Sequence, residues 1–232
     1  MKFNNVIAMG TIREDIVIPV DFGISLNASE RKVDDCCIYI GGSVYNTCRY
    51  LARTEIPIRI TMITRNYSKL YSLIGSCGIN FIKTDKKYSK YPISIIGTQK
   101  DGNKKMISYD PISTDDQIWD LLETNIENDT LVYTSLYELP KQDDIERWKR
   151  IIEKKKRTNN FFVMIDLCPL MKYSYEMLHT ILKQVNYLSG NTEEFGCLRE
   201  ILKIKSNEDL FCEFPLLNIV LEKMGYRLEV QK

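Results

Sequence analysis

The sequence predicts an open α/β fold in which a mainly parallel sheet carries helices on both faces and a small second sheet lies beside it. Short apolar, β-branched runs alternate with helical patterns over most of the chain, as expected for strands joined by crossover helices. Two stretches, residues 16–40 and 93–109, break this alternation with strand-like segments and no helix between them. The 232 residues, 44% of them hydrophobic, predict a single domain over residues 1–232.

The elements of the main domain follow one another along the chain. Apolar runs predict strands at residues 5–9, 58–63, 79–83, 130–134, 161–165, 185–188 and 216–221. Apolar residues at helical spacing predict helices at residues 43–53, 68–77, 114–125, 141–156, 173–184 and 192–201. Ser113 is the predicted N-cap of the third helix, because its side chain can accept from a free backbone N–H group.

The two β-rich stretches predict a sheet that is separate from the main one. Residues 93–109 contain two strand-like runs joined through Asp101-Gly102, a dipeptide typical of hairpin turns. A small sheet beside an α/β domain is often a lid that excludes water from a ligand cleft. It can equally be an extension of the main sheet or a dimerisation surface, and the residues alone leave these alternatives open.

Composition argues against several classes of function. Lys and Arg number 32 against 31 Asp and Glu, so the chain lacks the basic surplus of a nucleic-acid binder and gives no reason to expect membrane binding. No apolar run approaches the roughly 20 residues that span a bilayer, and the N-terminal residues have the pattern of a strand, so we expect a cytoplasmic protein. Seven cysteines without a C-x-x-C pair predict reduced thiols, and the single histidine, His179, makes histidine-based catalysis or metal binding a poor hypothesis.

Glycines and polar residues near the predicted strand ends are candidates for a ligand site. Gly41-Gly42 ends an apolar strand and opens a helix, where glycine lets the backbone approach a ligand closely and the first N–H groups are free. Asn46 lies in the first turn of that helix, although a tight turn and an exposed helix residue explain these positions equally well. Asp15 follows the first strand at the edge where open α/β sheets bind ligands, and its carboxylate could accept two sugar hydroxyls. A solvated loop aspartate is the alternative.

Asn191 and Glu194 form a further pair with two interpretations. Asn191 is a good N-cap and Glu194 stands three residues later, as in a capping box, which explains both residues without a function. In the functional interpretation, the amide and the carboxylate organise a Mg²⁺ ion, its waters and phosphate oxygens.

The order and approximate spacing of these motifs resemble the ribokinase/PfkB carbohydrate kinases, a family that includes fructokinases and adenosine kinases. Residues 10–15 match the family's opening G-x-x-x-x-D, residues 41–46 match G-G-x-x-x-N, and residues 191–194 match N-x-x-E. Residues 219–225 fall where the family has a strand and turn at the nucleotide. The resemblance implies a ribokinase-like fold with lid strands in residues 16–40 and 93–109, and a kinase that uses ATP and Mg²⁺. It also implies roles for particular residues: a sugar or nucleoside bound by Asp15, Gly41, Gly42 and Asn46, phosphate and Mg²⁺ organised by Asn191 and Glu194, and a nucleotide-side turn at Gly225.

The departures from the family pattern weigh against phosphoryl transfer. The family's D-T-x-G-A-G-D motif, which carries the anion hole and the catalytic base, occurs nowhere in the 232 residues. Val220 and Glu222 replace the usual Thr and first Gly of the nucleotide turn, and residues 166–170 lack the Asn and Arg of D-x-N-x-R. We therefore expect a domain incomplete at its C-terminal side, with doubtful ATP and Mg²⁺ binding and little or no kinase activity. The alternative is a non-catalytic binding or regulatory protein that keeps sugar or nucleoside recognition. We further expect a homodimer through the small sheet, or a partner that covers the C-terminal edge of the main sheet.

Overall fold

The structure is a computed structural model that describes residues 3–19, 35–75, 77–99, 104–111, 115–224 and 227–231. Within these residues the strands are β1 (Asn5–Met9), β2 (Arg13–Pro19), β3 (Cys37–Gly41), β4 (Arg59–Asn66), β5 (Asn80–Lys87), β6 (Ile93–Thr98), β7 (Lys104–Tyr109), β8 (Thr130–Ser135), β9 (Phe161–Asp166), β10 (Tyr187–Asn191), β11 (Ile219–Met224) and β12 (Arg227–Gln231). The α-helices are α1 (Ser43–Leu51), α2 (Ser68–Leu73), α3 (Asp116–Asn125), α4 (Gln142–Lys156), α5 (Tyr175–Leu182), α6 (Thr192–Leu202) and α7 (Asn207–Glu213), and a 3-10 turn spans Leu136–Glu138.

The main sheet has eight strands in the order β12-β11-β10-β9-β8-β1-β4-β5. Neighbouring strands run parallel, except that β12 pairs antiparallel with β11. At the centre, Met9 of β1 stands opposite Ile63 of β4 and Thr134 of β8. The carboxyl ends of these three strands therefore open at the same edge, which is where sheets of this kind bind ligands.

Helices cover both faces of the main sheet, as the sequence predicts. Successive residues of β1 point to opposite faces, so Ile7 and Met9 pack in one core with α3 to α7. Val6 and Ala8 pack in a second core with α1 and α2. None of these four side chains is more than 3% exposed, so both faces of the strand are buried.

The predicted second sheet is confirmed. Its strand order is β3-β2-β6-β7. Strand β2 runs antiparallel to β3 and parallel to β6, and β6 runs antiparallel to β7. Strand β2 begins at Arg13 and not at residue 16, so Asp15 belongs to this small sheet and not to a loop at the end of β1. Residues 20–34 and the predicted Asp101-Gly102 turn lie outside the described residues.

Several predicted boundaries were wrong for local reasons. Helix α3 begins at Asp116 because Asp115 caps it, accepting from the Gln117 N–H group, and the predicted cap Ser113 lies outside the described residues. The strand predicted from residue 216 begins at Ile219, because Leu216 lies in a turn that follows α7 and is 45% exposed. None of the helices in the described part of the chain is both long and apolar enough to cross a membrane.

Candidate functional site

A cavity of about 200 Å³ lies between the small sheet and the carboxyl ends of β1 and β8. Its lining brings together Asp15 from β2, Gly42 and Asn46 from the start of α1, and Ser94 from β6. Asp15, Gly42 and Asn46, which the sequence analysis proposed as ligand-site residues, therefore lie together although they come from segments far apart in the sequence. The floor is formed by residues that follow β1 and β8, among them Thr11 and Glu138.

Asp15 presents a hydrogen-bond acceptor to this cavity. Its Oδ1 atom is buried and has no hydrogen-bond partner among the described residues. Burial raises the pKa of the Asp15 carboxyl, while the positive charge of Arg13 and a hydrogen bond from Ser94 act in the opposite direction. A buried carboxylate oxygen without a donor is costly, so a ligand hydroxyl that donates to it would be bound favourably.

The two glycines at the end of β3 serve different purposes. A Cβ atom on Gly41 would lie 1.9 Å from Oδ2 of Asp15, so Gly41 makes room for that carboxylate and is not itself among the residues that line the cavity. Gly42 does line it, and its φ of 116° lies in the range that favours glycine. A Cβ atom on Gly42 would also lie 2.3 Å from the Thr11 carbonyl oxygen.

The amino end of α1 faces the cavity without a side-chain cap. Gly42 is the N-cap residue and no side chain accepts from the first-turn N–H groups. The N–H of Asn46 donates to the Gly42 carbonyl at 2.9 Å, which closes the first helical turn. The earlier N–H groups have no acceptor within the helix, and with the exposed Asn46 side chain they offer donors to a polyhydroxylated or anionic ligand.

Glu138 is a site residue that the sequence analysis missed. Its carboxylate accepts from the Thr11 N–H at 2.8 Å and from Thr11 Oγ1 at 3.0 Å, and Nη1 of Arg65 lies 3.9 Å from its Oε2. Burial raises the pKa of Glu138, against the lowering effect of Arg65 and of the bonds from Thr11. Glu138 thus fixes the segment after β1 to the end of β8. The sequence feature that could have revealed Glu138 is its position as an acidic residue just beyond a buried parallel strand.

Asp166, at the end of β9, is the centre of a second polar network. It accepts from Ser43 Oγ at 2.8 Å, from Ser189 Oγ at 2.6 Å and from Lys223 Nζ at 2.9 Å. The network joins the amino end of α1 to the ends of β10 and β11. Because both carboxylate oxygens already have donors, Asp166 is a structural acceptor in this arrangement.

Asn191 and Glu194 form the predicted capping box and do not line the cavity. The Asn191 N–H donates to Glu194 Oε2 and the Glu194 N–H donates to Asn191 Oδ1, each at 2.8 Å. Burial raises the pKa of Glu194, and the nearby negative charge of Asp166 adds to the increase. Among the described residues no three acidic, Cys or His side chains cluster as direct metal ligands. Gly225 lies outside the described residues.

Known structures of one class share this architecture. The ribokinase of Giardia lamblia superimposes with a TM-score of 0.76 at 16% identity, over 98% of this chain and 76% of that one. The ribokinase of Thermotoga maritima gives 0.71 at 17% identity, over 99% and 75%. A fructokinase of Xylella fastidiosa with bound ATP gives 0.71 at 13% identity, over 99% and 75%. No family model and no curated protein sequence matches the chain.

The chain therefore has the architecture of small-molecule kinases built from an open parallel sheet and a small second sheet. More particularly, its fold is the ribokinase-like fold, as the order of the sequence motifs predicts.

Proposed function

We propose that the chain binds a sugar, or the sugar part of a nucleoside, in the cavity beneath the small sheet. The observation that carries this proposal is the buried, unpartnered Oδ1 of Asp15 beside Asn46 and the uncapped start of α1. Adjacent sugar hydroxyls donate and accept at once, so a carboxylate acceptor next to amide and backbone N–H donors is complementary to them.

We further propose that the chain is a member of the ribokinase/PfkB family. The ribokinase-like fold and the placement of Asp15, Gly42 and Asn46 in one cavity support this membership. The structures with this fold include ribokinases and a fructokinase, and that fructokinase structure contains bound ATP. The proposed phosphoryl donor is therefore ATP.

Phosphoryl transfer by these 232 residues is proposed to be weak or absent. A general base must reach the attacking hydroxyl, and the loss of one costs about 10²–10⁴ in rate. No G-A-G-D sequence is present, Asp166 is bound by Ser43, Ser189 and Lys223, and Glu138 is bound by Thr11. The second candidate, a binding protein without phosphoryl transfer, is favoured by the missing G-A-G-D sequence and by the hydrogen bonds that already engage Asp166 and Glu138.

Calorimetric titration with ribose, fructose and common nucleosides tests the binding proposal. We expect at least one of these ligands to bind, and we expect Asp15→Asn and Asn46→Ala each to weaken that binding at least tenfold. Asp120→Asn, an exposed acid on α3, serves as the control and should bind as the unchanged chain does. The absence of binding by every ligand would contradict the proposal.

A coupled assay of ADP release with the same ligands separates the two candidate functions. Slow, ligand-dependent release would support a weak kinase, and none above background would support a binding protein. Rapid turnover that disappears in Asp15→Ala would contradict the proposed loss of activity and would show that turnover requires the Asp15 carboxylate.

A further inference from the structure

A second cavity, of about 330 Å³, adjoins the first one. Arg13, Tyr137 and Glu138 line both cavities, so the two spaces share a wall at the end of β8. A ligand whose sugar ring occupies the smaller cavity would therefore have the larger one directly beside it. The proposed function assigns no role to this second space.

One side of the second cavity is apolar. Trp119 and Ile118 contribute from α3, Met9 from the end of β1 and Pro140 from the segment before α4. Trp119 is 6% exposed and packs in the core, so its position at this cavity is fixed. Such a surface favours a flat, apolar-faced group over a hydrated one.

The polar side of this cavity contains an unsatisfied acceptor. Asp144, which also lines the cavity, is 8% exposed, and its Oδ2 atom is buried with no hydrogen-bond partner among the described residues. The carboxylate interacts with the Lys141 N–H at the start of α4, so only one side of it is satisfied by the protein. Burial raises the pKa of Asp144, whereas the charges of Lys141, Arg147 and Arg65 lower it. A ligand N–H that donates to Oδ2 would remove the cost of leaving it bare.

We propose that the second cavity holds the planar, N–H-bearing base of a nucleoside, so that the ligand of this chain is a nucleoside and not a free sugar. The inference rests on the proposed function, because it takes the smaller cavity to hold the ribose. A free sugar would leave both the apolar side at Trp119 and the Oδ2 atom of Asp144 without a partner. A nucleobase supplies flat faces for the first and a ring or amino N–H for the second.

Tryptophan fluorescence locates the ligand, because the chain has only two tryptophans. Trp119 lines the second cavity, whereas Trp148 is fully buried in the core and does not. Titration with adenosine, guanosine and cytidine should change the emission for at least one nucleoside, and the change should be absent in Trp119→Phe. Ribose should bind at least tenfold more weakly and leave the emission unchanged.

Asp144→Asn tests the hydrogen bond. The amide oxygen can keep the bond from the Lys141 N–H while an NH₂ group replaces the acceptor in the cavity, so nucleoside affinity should fall about 10- to 100-fold. Ribose affinity should not change. Asp143→Asn is the matched control, because Asp143 is exposed in the same helical turn and should affect neither ligand. A thermal melt checks that each variant folds. If Asp144→Asn does not fold, the relative affinities for ribose and nucleosides and the titration of Trp119→Phe still test the inference.

The outcomes distinguish failure of this inference from failure of the proposed function. Equal affinity for ribose and nucleosides, or nucleoside binding that is unaffected by a folded Asp144→Asn variant, would overturn the inference and leave sugar binding in place. Failure of ribose and of every nucleoside to bind would overturn both.

Discussion

Replacement of Gly41 by alanine is expected to abolish ligand binding while leaving the fold intact. The added Cβ atom would lie 1.9 Å from Oδ2 and 2.8 Å from Cγ of Asp15, whereas carbon and oxygen atoms in contact stand roughly 3.3 Å apart. The carboxylate must therefore move by more than about 1 Å, a shift comparable to the tolerance of a hydrogen bond. Gly41 lies in β3 and is not among the described glycines with a positive φ, so the backbone itself accepts alanine.

The size of the effect follows from the hydrogen bonds that Asp15 would lose. Each hydrogen bond to a charged group is worth about 1.5–3 kcal/mol. If the carboxylate accepts two ligand hydroxyls, its displacement costs about 3–6 kcal/mol, which weakens binding about 10²- to 10⁴-fold. Calorimetric titration measures the dissociation constant, and a thermal melt should show a melting temperature that changes by only a few degrees.

Gly196→Ala is the matched control for this substitution. A Cβ atom at Gly196 would have no neighbour within 4 Å, and the residue lies inside α6, away from the cavity. We expect unchanged binding and a free energy of unfolding higher by about 1 kcal/mol, because alanine is the better helix former. The reasoning would be refuted if Gly41→Ala bound ligand as tightly as the unchanged chain, or if it failed to fold.

Three further predictions concern charged groups of the site. The pKa of Asp15 is raised above 3.8, so ligand affinity should fall as the pH is lowered through that raised value and the carboxylate is protonated. The affinity of Asp15→Asn should not change over the same pH range, and a pH-dependent affinity of this variant would contradict the prediction. Glu138→Ala should lower the free energy of unfolding in urea by about 3–5 kcal/mol, because it removes a carboxylate that faces the buried Arg65 and leaves the Thr11 N–H without its acceptor. A loss below about 1 kcal/mol would be inconsistent with this network. Lys223→Met should cost no more than about 1 kcal/mol in the same assay, because the Lys223 side chain is 52% exposed and solvent screens its ion pair; a larger loss would show a structural role.

The main sheet could be predicted because its strands are buried on both faces and appear as continuous apolar runs, such as residues 161–165. Helix α7 could not, because it is only seven residues long and begins with a polar capping box at Ser206 and Asp209. The start of β2 was also missed, because its first three residues are charged. Arg13-Glu14-Asp15 has the composition of a loop, yet Glu14 is buried and Asp15 partly buried, because the small sheet closes over them.

The cavity was predicted in part. Asp15, Gly42 and Asn46 could be grouped because their order along the chain resembles that of a family, although their binding role stays a prediction. Glu138 and Asp144 could not be found in this way, because their importance depends on contacts made only in the folded chain. Glu138 reaches Thr11 across 127 positions of the sequence.

A crystal structure of the chain with a bound nucleoside or ribose tests the central claim most directly. We expect sugar hydroxyls within hydrogen-bond distance of Asp15 Oδ1 and of the Asn46 side chain, beneath the small sheet. A ligand bound elsewhere, with the cavity at Asp15 filled only by solvent, would contradict it.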